Sequence, residues 1–303
     1  MIEKLKINSI HDGLPLDILI ATCNNPKAIV QIVHGMCEYK ERYLDFINFL
    51  NKNGYIVIIH DLRGHGKSIL TKDDLGYFYQ DGARAMVEDV YMLSKYIKNK
   101  YPNLSLYLFG HSMGSLIVRN YIIKYDSYLD GQIVCGSPSY NRLVGVGKLV
   151  CKFLILIKGQ RYRSKSMNKL MFGHFNKGFI KKNAWICSDE YVVDKYNQDS
   201  LCSFIFTLNG FYHLCTLMQR TYKKGIYACN HNLPILFISG KKDRCMINQK
   251  AFDDSIKRLK DRGYRNIESK LFDNMFHEIL NEKNNQIVYN TIINFLKGDK
   301  YGR

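Results

Sequence analysis

Apolar positions in the first ninety residues come in short runs with the period of β-strands, and the breaks between them carry glycine and aspartate. Residues 4–10 and 16–21 flank His11-Asp12-Gly13, whose Asp-Gly pair predicts a hairpin turn. Residues 28–33 (Ala-Ile-Val-Gln-Ile-Val) and 55–59 (Tyr-Ile-Val-Ile-Ile) are rich in β-branched side chains, which suits strands buried on both faces. Between them, Tyr43, Leu44, Phe46, Ile47 and Leu50 recur at helical spacing over residues 42–53, and Gly54 closes the segment.

The period then alternates. Residues 83–100 predict a helix whose apolar stripe is Met86, Val87, Val90, Leu93 and Ile97, followed by a strand at 104–109 and a helix at 115–125. Residues 132–135 form a strand ending in Gly136-Ser137-Pro138. Late strands at 234–239 and 269–272 each precede a helical stretch, 247–260 and 278–297. Strand and helix alternating in this way specify an α/β fold, a mostly parallel sheet flanked by helices. Residues 139–232 break the alternation, being helical in flavour and rich in aromatics. The expected organisation is a core of residues 1–138 and 233–303 with a helical cap of residues 139–232. Ligands in open α/β sheets bind at the C-terminal ends of strands, where such an insertion begins.

Composition narrows the function class. The chain has 303 residues, 46% hydrophobic and 23% charged, with 5 prolines, which leaves little room for long linkers. Its 9 cysteines are scattered, without a CxxC or zinc spacing, so they are read as reduced buried thiols and no metal is expected. The start, Met1-Ile-Glu-Lys-Leu-Lys, lacks the apolar core of a secretory signal, and the apolar stretch at 143–157 is too short to span a bilayer. A cytoplasmic location is expected.

The net charge of +17 is unevenly spread. Residues 131–188 contain no Asp or Glu, while Lys148, Lys152, Lys158 and further basic residues alternate there with Leu149, Val150, Phe153 and Leu156. Basic residues beside apolar ones describe a segment that touches an anionic membrane, peripherally at its inner surface. No nucleic-acid-binding module is present, so no nucleic-acid partner is expected. Oligomeric state leaves no trace in the sequence.

The sharpest chemical signal is Gly110-His111-Ser112-Met113-Gly114, set between a predicted strand and a predicted helix as a nucleophile elbow requires. A serine hydroxyl is a weak nucleophile and needs a base, which on this kind of turn follows in the order Ser, Asp or Glu, His. Asp243 stands just past the strand at 234–239, and His277 just past the strand at 269–272. Ser112, Asp243 and His277 are therefore the expected catalytic residues. The oxyanion should meet the backbone N–H groups of Met113 and of Met36, the latter in the loop His34-Gly35-Met36 after the strand at 28–33. Asp61 precedes the nucleophile and is expected to brace the turn at Arg63-Gly64-His65-Gly66. Asp273 is too close in sequence to orient His277, and His111 is expected to be structural.

Taken in order, His34-Gly35-Met36, Asp61-Leu62-Arg63-Gly64-His65-Gly66-Lys67-Ser68, the elbow, Gly240-x-x-Asp243 and His277-Glu278 resemble the monoacylglycerol lipase and lysophospholipase branch of the α/β-hydrolases, of the serine aminopeptidase S33 type. The resemblance covers nearly the whole chain. It implies an eight-stranded sheet with a helical cap after the sixth strand, and hydrolysis of monoacylglycerols or lysophospholipids without a cofactor. The segments around Trp185 and Phe211 are similar to cap segments of bacterial lysophospholipase-like members, which makes these two residues the expected cap contacts to a lipid ester substrate. Esterase, thioesterase or peptidase action on the same triad, or a non-catalytic binding protein, are the alternatives. Ser115 stands where many relatives carry glycine, and Met275-Phe276 where many carry Gly and Arg.

Overall fold

The computed structural model of the protein describes residues 1–298. Its strands are β1 (Ile2–Asn8), β2 (Pro15–Ala21), β3 (Ala28–Val33), β4 (Tyr55–His60), β5 (Ser105–His111), β6 (Gly131–Cys135), β7 (Ile235–Gly240) and β8 (Ile267–Phe272). They form one sheet in the order β1-β2-β4-β3-β5-β6-β7-β8. β2 runs antiparallel to β1 and β4, and every later pairing is parallel. β3 and β4 are buried along their whole length, as their β-branched composition requires.

Helices cover both faces. α1 (Leu44–Lys52) and α9 (Gln286–Leu296) pack Phe46, Leu50, Val288 and Ile292 on one side. α2 (Gly82–Lys100), α3 (Met113–Tyr125) and α8 (Gln249–Asp261) pack Met86, Leu93, Ile117 and Phe252 on the other. Between β6 and β7 lie α4 (Val144–Lys158), α5 (Lys165–Phe172), α6 (Glu190–Gln198) and α7 (Leu208–Thr221), a helical cap without a strand among the described residues. α7 ties the cap to the core through α3 and receives α4 on its outer side. No helix among the described residues is long and apolar enough to cross a membrane.

One element differs from the sequence pattern. The last helix begins at Gln286, not at residue 278. The side chains of residues 278–285 bond locally or to distant partners instead of leaving the backbone free to coil. Asn281 Nδ2 reaches Glu278 at 2.9 Å, Asn285 Nδ2 reaches the Leu280 carbonyl at 2.9 Å, and Glu282 accepts from Phe276 N at 2.8 Å. The resulting turn presents His277 and Glu278 inward.

Candidate active site

β5 ends at His111 and α3 starts at Met113, so Ser112 makes the turn alone. Its φ of 52° with ψ of −118° is a conformation non-glycine residues rarely adopt. Glycines make room for it. A Cβ on Gly114 would lie 2.1 Å from the Val33 carbonyl oxygen, and one on Gly110 would lie 2.6 Å from the Gly114 carbonyl oxygen. Ser115, in the place of a further glycine, turns its hydroxyl onto the Ser112 carbonyl at 2.5 Å.

The loops after β7 and β8 bring Asp243 and His277 to the same rim. His277 Nε2 is 2.8 Å from Ser112 Oγ, and His277 Nδ1 is 2.9 Å from Asp243 Oδ1. Asp243 is buried and also accepts from Cys245 N at 2.8 Å and from the Ser239 hydroxyl at 2.9 Å. Burial pushes its carboxyl pKa up, but His277 and these two donors outweigh it and hold the pKa below its ordinary value. The carboxylate therefore stays charged and keeps the imidazole in one tautomer.

Met113 opens α3, so its N–H is one of the first-turn donors a helix leaves unpaired. Met36 and Met113 both line the cavity that holds Ser112, and neither N–H donates to an acceptor among the described residues. That cavity, of about 440 Å³, is bounded on the cap side by Val146, Val150, Met171, Phe175, Trp185 and Leu214. Trp185 sits with its ring 5.1 Å from that of His277 and 4.8 Å from Phe175. Phe211 lies elsewhere. It is fully buried in the main hydrophobic core beneath the cap, against Phe206 and Phe172, and it does not line the cavity.

Beside Ser112, His277 and Asp243 is a buried charge network that the sequence did not reveal. Glu38 accepts from Gly35 N in the His34-Gly35-Met36 loop, from the Tyr43 hydroxyl at 2.9 Å and from His111 Nδ1 at 3.0 Å. His111 Nε2 points at the His277 carbonyl at 3.3 Å. Arg42 grips Glu278 with two bonds of 2.8 and 2.7 Å and lies 3.3 Å from Glu38. Four side chains thus tie together the loop after β3, the elbow and the loop carrying His277. For Glu38, burial raises the pKa but His111 and Arg42 lower it further, leaving the group well below its usual range. For His111, burial lowers the pKa but Glu38 raises it above the usual value.

Removing Glu38 would leave His111, Tyr43 and the Gly35 N–H without their shared acceptor. Glu38→Ala should cost about 3–5 kcal/mol in urea unfolding, the range for breaking a buried pair from one side. The Glu38 contribution is present above the ordinary carboxylate pKa and is lost as pH falls through the depressed folded value. The His111 contribution is present below the ordinary histidine pKa and is lost as pH rises through the raised folded value. The difference between wild type and Glu38→Ala should thus be largest at mildly acidic pH, roughly 5 to 6. A pH-independent loss below about 1 kcal/mol would contradict the network.

Asp61 does brace the Arg63–Gly66 turn region, accepting from Lys67 N at 2.8 Å, and it also pairs with the buried Lys40 ammonium at 2.8 Å. Asp273 is exposed and pairs with Lys241 at 2.6 Å, away from His277. Asp243, Cys245 and His277 are the one group among the described residues whose ligand atoms gather closely enough to hold a metal ion.

Residues 24–284 match the Hydrolase_4 family, described as serine aminopeptidase S33. The chain belongs to the S33 family. Its S33 membership and the capped eight-stranded sheet make it an α/β hydrolase. A carboxyl esterase from Bacillus coagulans, solved with glycerol, superposes with a TM-score of 0.88 at 27% identity, covering 98% of each chain. Monoglyceride lipase from Mus musculus is 25% identical over 240 residues, 75% of this chain and 69% of that protein. A monoglyceride lipase homolog from monkeypox virus is 37% identical over 95 residues, and the match spans 30% of this chain and about a third of the viral protein's length (32%).

Proposed function

We propose that the protein is a serine hydrolase that cleaves carboxylic esters of single-chain lipids, a monoacylglycerol or a lysophospholipid, through Ser112, His277 and Asp243. The observation that carries this reading is the 2.8 and 2.9 Å relay at the floor of a largely apolar cavity. His277 takes the Ser112 proton as the hydroxyl attacks the ester carbonyl. The N–H groups of Met36 and Met113 receive the oxyanion, and His277 passes its proton to the departing alcohol. Water then enters, His277 removes its proton, and the acyl-enzyme is hydrolysed. Trp185 stands beside His277, where it would meet the scissile end of the substrate.

The family's name raises the aminopeptidase alternative. A free α-amine would need an unpaired acid near Ser112. The acids lining the cavity are Glu38 and Glu278, and both are already paired with Arg42. Purified protein should turn over monoacylglycerol or lysophospholipid faster than acyl-CoA or aminoacyl amides. Preferential cleavage of aminoacyl amides would overturn the substrate class.

The surface of α4 supports contact with an anionic bilayer. Leu149, Phe153, Leu156 and Ile157 are exposed there (58–78%) alongside Lys152 and Lys158, and neighbouring Leu143, Val146 and Val150 continue into the cavity wall. Two other basic residues of the segment are occupied, Arg161 with Asp74 and Lys181 with Glu190 and Asp194. The exposed apolar residues concentrate on α4, so the proposed contact centres there. Each basic residue near an anionic surface can add about 1 kcal/mol, with the apolar face adding insertion. The protein should sediment with phosphatidylglycerol vesicles more than with phosphatidylcholine vesicles, less so at high salt, and Lys152→Glu with Phe153→Asp should weaken binding. Equal, salt-insensitive binding to both vesicles would refute the contact.

A further inference from the structure

Cys245 follows Asp243 by two residues in the loop after β7, and its side chain lies in the wall of the same cavity as Ser112 and His277. Its Sγ is 3.9 Å from His277 Nε2, the nitrogen that also faces Ser112 Oγ at 2.8 Å. A tetrahedral zinc ion, with bonds of about 2.3 Å to sulfur and 2.0–2.1 Å to nitrogen, holds its S and N ligands roughly 3.6 Å apart. The pair is thus within a few tenths of an ångström of a ligating geometry, before any side chain turns.

The surroundings fit an ion as well. Metal-binding histidines usually donate their other ring N–H to a carboxylate, which fixes the tautomer and strengthens the ligand. Asp243 Oδ1 already occupies that place at 2.9 Å from His277 Nδ1, and the ligand atoms of Asp243, Cys245 and His277 lie within 4.8 Å of one another. Ser112 Oγ or water can supply a third ligand, and the cavity leaves the fourth side open.

We propose that Cys245 Sγ and His277 Nε2 form an inhibitory site for a borderline-soft divalent cation of the zinc class. The ion displaces the thiol proton to water and takes the Nε2 lone pair, so the histidine can no longer accept the serine proton. The hard cations magnesium and calcium, which prefer oxygen ligands, are excluded by the same donor set. Inhibition rests on the hydrolase reading above, whereas binding of the ion does not.

Two readouts separate the two. Zn²⁺ and Cd²⁺ should inhibit ester hydrolysis and block fluorophosphonate labelling reversibly, with EDTA restoring both, while Mg²⁺ and Ca²⁺ do neither. Rates are normalised to each variant's uninhibited rate. Cys245→Ser and Cys245→Ala should raise the half-inhibitory concentration by about 100-fold or more, since loss even of an outer partner costs 10–100-fold. Titration with Cd²⁺ should also show an ultraviolet cadmium–thiolate band that is larger in wild type than in Cys245→Ser by the contribution of one thiol. That difference stands even if the protein proves to hydrolyse nothing. Equal inhibition of wild type and both variants, or equal cadmium–thiolate absorption, would overturn the site.

Discussion

Ser112→Ala and His277→Ala should each lower ester hydrolysis by on the order of four or more decades, because nucleophile and base act as a unit. The cause is geometric. His277 Nε2 is 2.8 Å from Ser112 Oγ, and among the described residues no other titratable side chain hydrogen-bonds to that hydroxyl. Asp243→Asn should also fall steeply but from a different cause, since the amide would favour the wrong imidazole tautomer while leaving all three side chains in place. Initial rates on a soluble short-chain ester and on a micellar monoacylglycerol would check all three variants. Far-ultraviolet circular dichroism should remain that of the wild type, which separates lost chemistry from lost fold. Turnover of Ser112→Ala near the wild-type rate would remove the nucleophile assignment.

The next largest effect is expected at Gly114. A methyl group there would sit 2.1 Å from the Val33 carbonyl oxygen and 2.5 Å from that of His34, closer than any real contact. The Val33 carbonyl ends β3, which is buried and paired on both sides, and the buried His34 follows it directly. Gly114→Ala must therefore push α3 away from the end of β3. The cost should reach about 3 kcal/mol or more, the upper end for overpacking a close-packed site, which lowers the apparent Tm by about 6 °C or more in a domain of this size. The same displacement separates Met113 N–H from Met36 N–H. Loss of one oxyanion donor typically costs on the order of 100-fold in kcat, so activity should fall at least that far in the fraction that remains folded. A variant with wild-type Tm and wild-type kcat would show that the close approach does not matter.

The parts of this protein that were legible in its sequence are those encoded locally. β3 and β4 announce themselves as β-branched runs, and Ser112, Asp243 and His277 each closely follow a segment whose pattern predicts a strand. A strand end therefore predicts both their rim and their neighbours. The Glu38–Arg42–Glu278 network follows no local rule, since Arg42 and Glu278 are 236 positions apart. Glu278 moreover stands in a stretch whose pattern suggested a helix, while its side chain is committed to Arg42. In the cap, Trp185 and Phe211 looked alike as aromatics in helical surroundings. Only the packing of α7 shows that Phe211 turns into the main core, while Trp185 turns to His277. The basic stretch was visible as composition, but which of its charges are free depends on partners such as Asp74, far away in the chain. A pair such as Cys245 and His277, joined by two loops at one rim, gave no sequence signal beyond the presence of a cysteine.

The central claim, that Ser112 is an activated nucleophile, is tested most directly by covalent labelling. Purified protein incubated with a fluorophosphonate and examined by intact mass and peptide mapping should gain one adduct, located on Ser112. His277→Ala should react far more slowly, and Ser112→Ala should take up none at that peptide. Wild-type protein that stays unmodified, or that carries its adduct on another residue, would contradict the account.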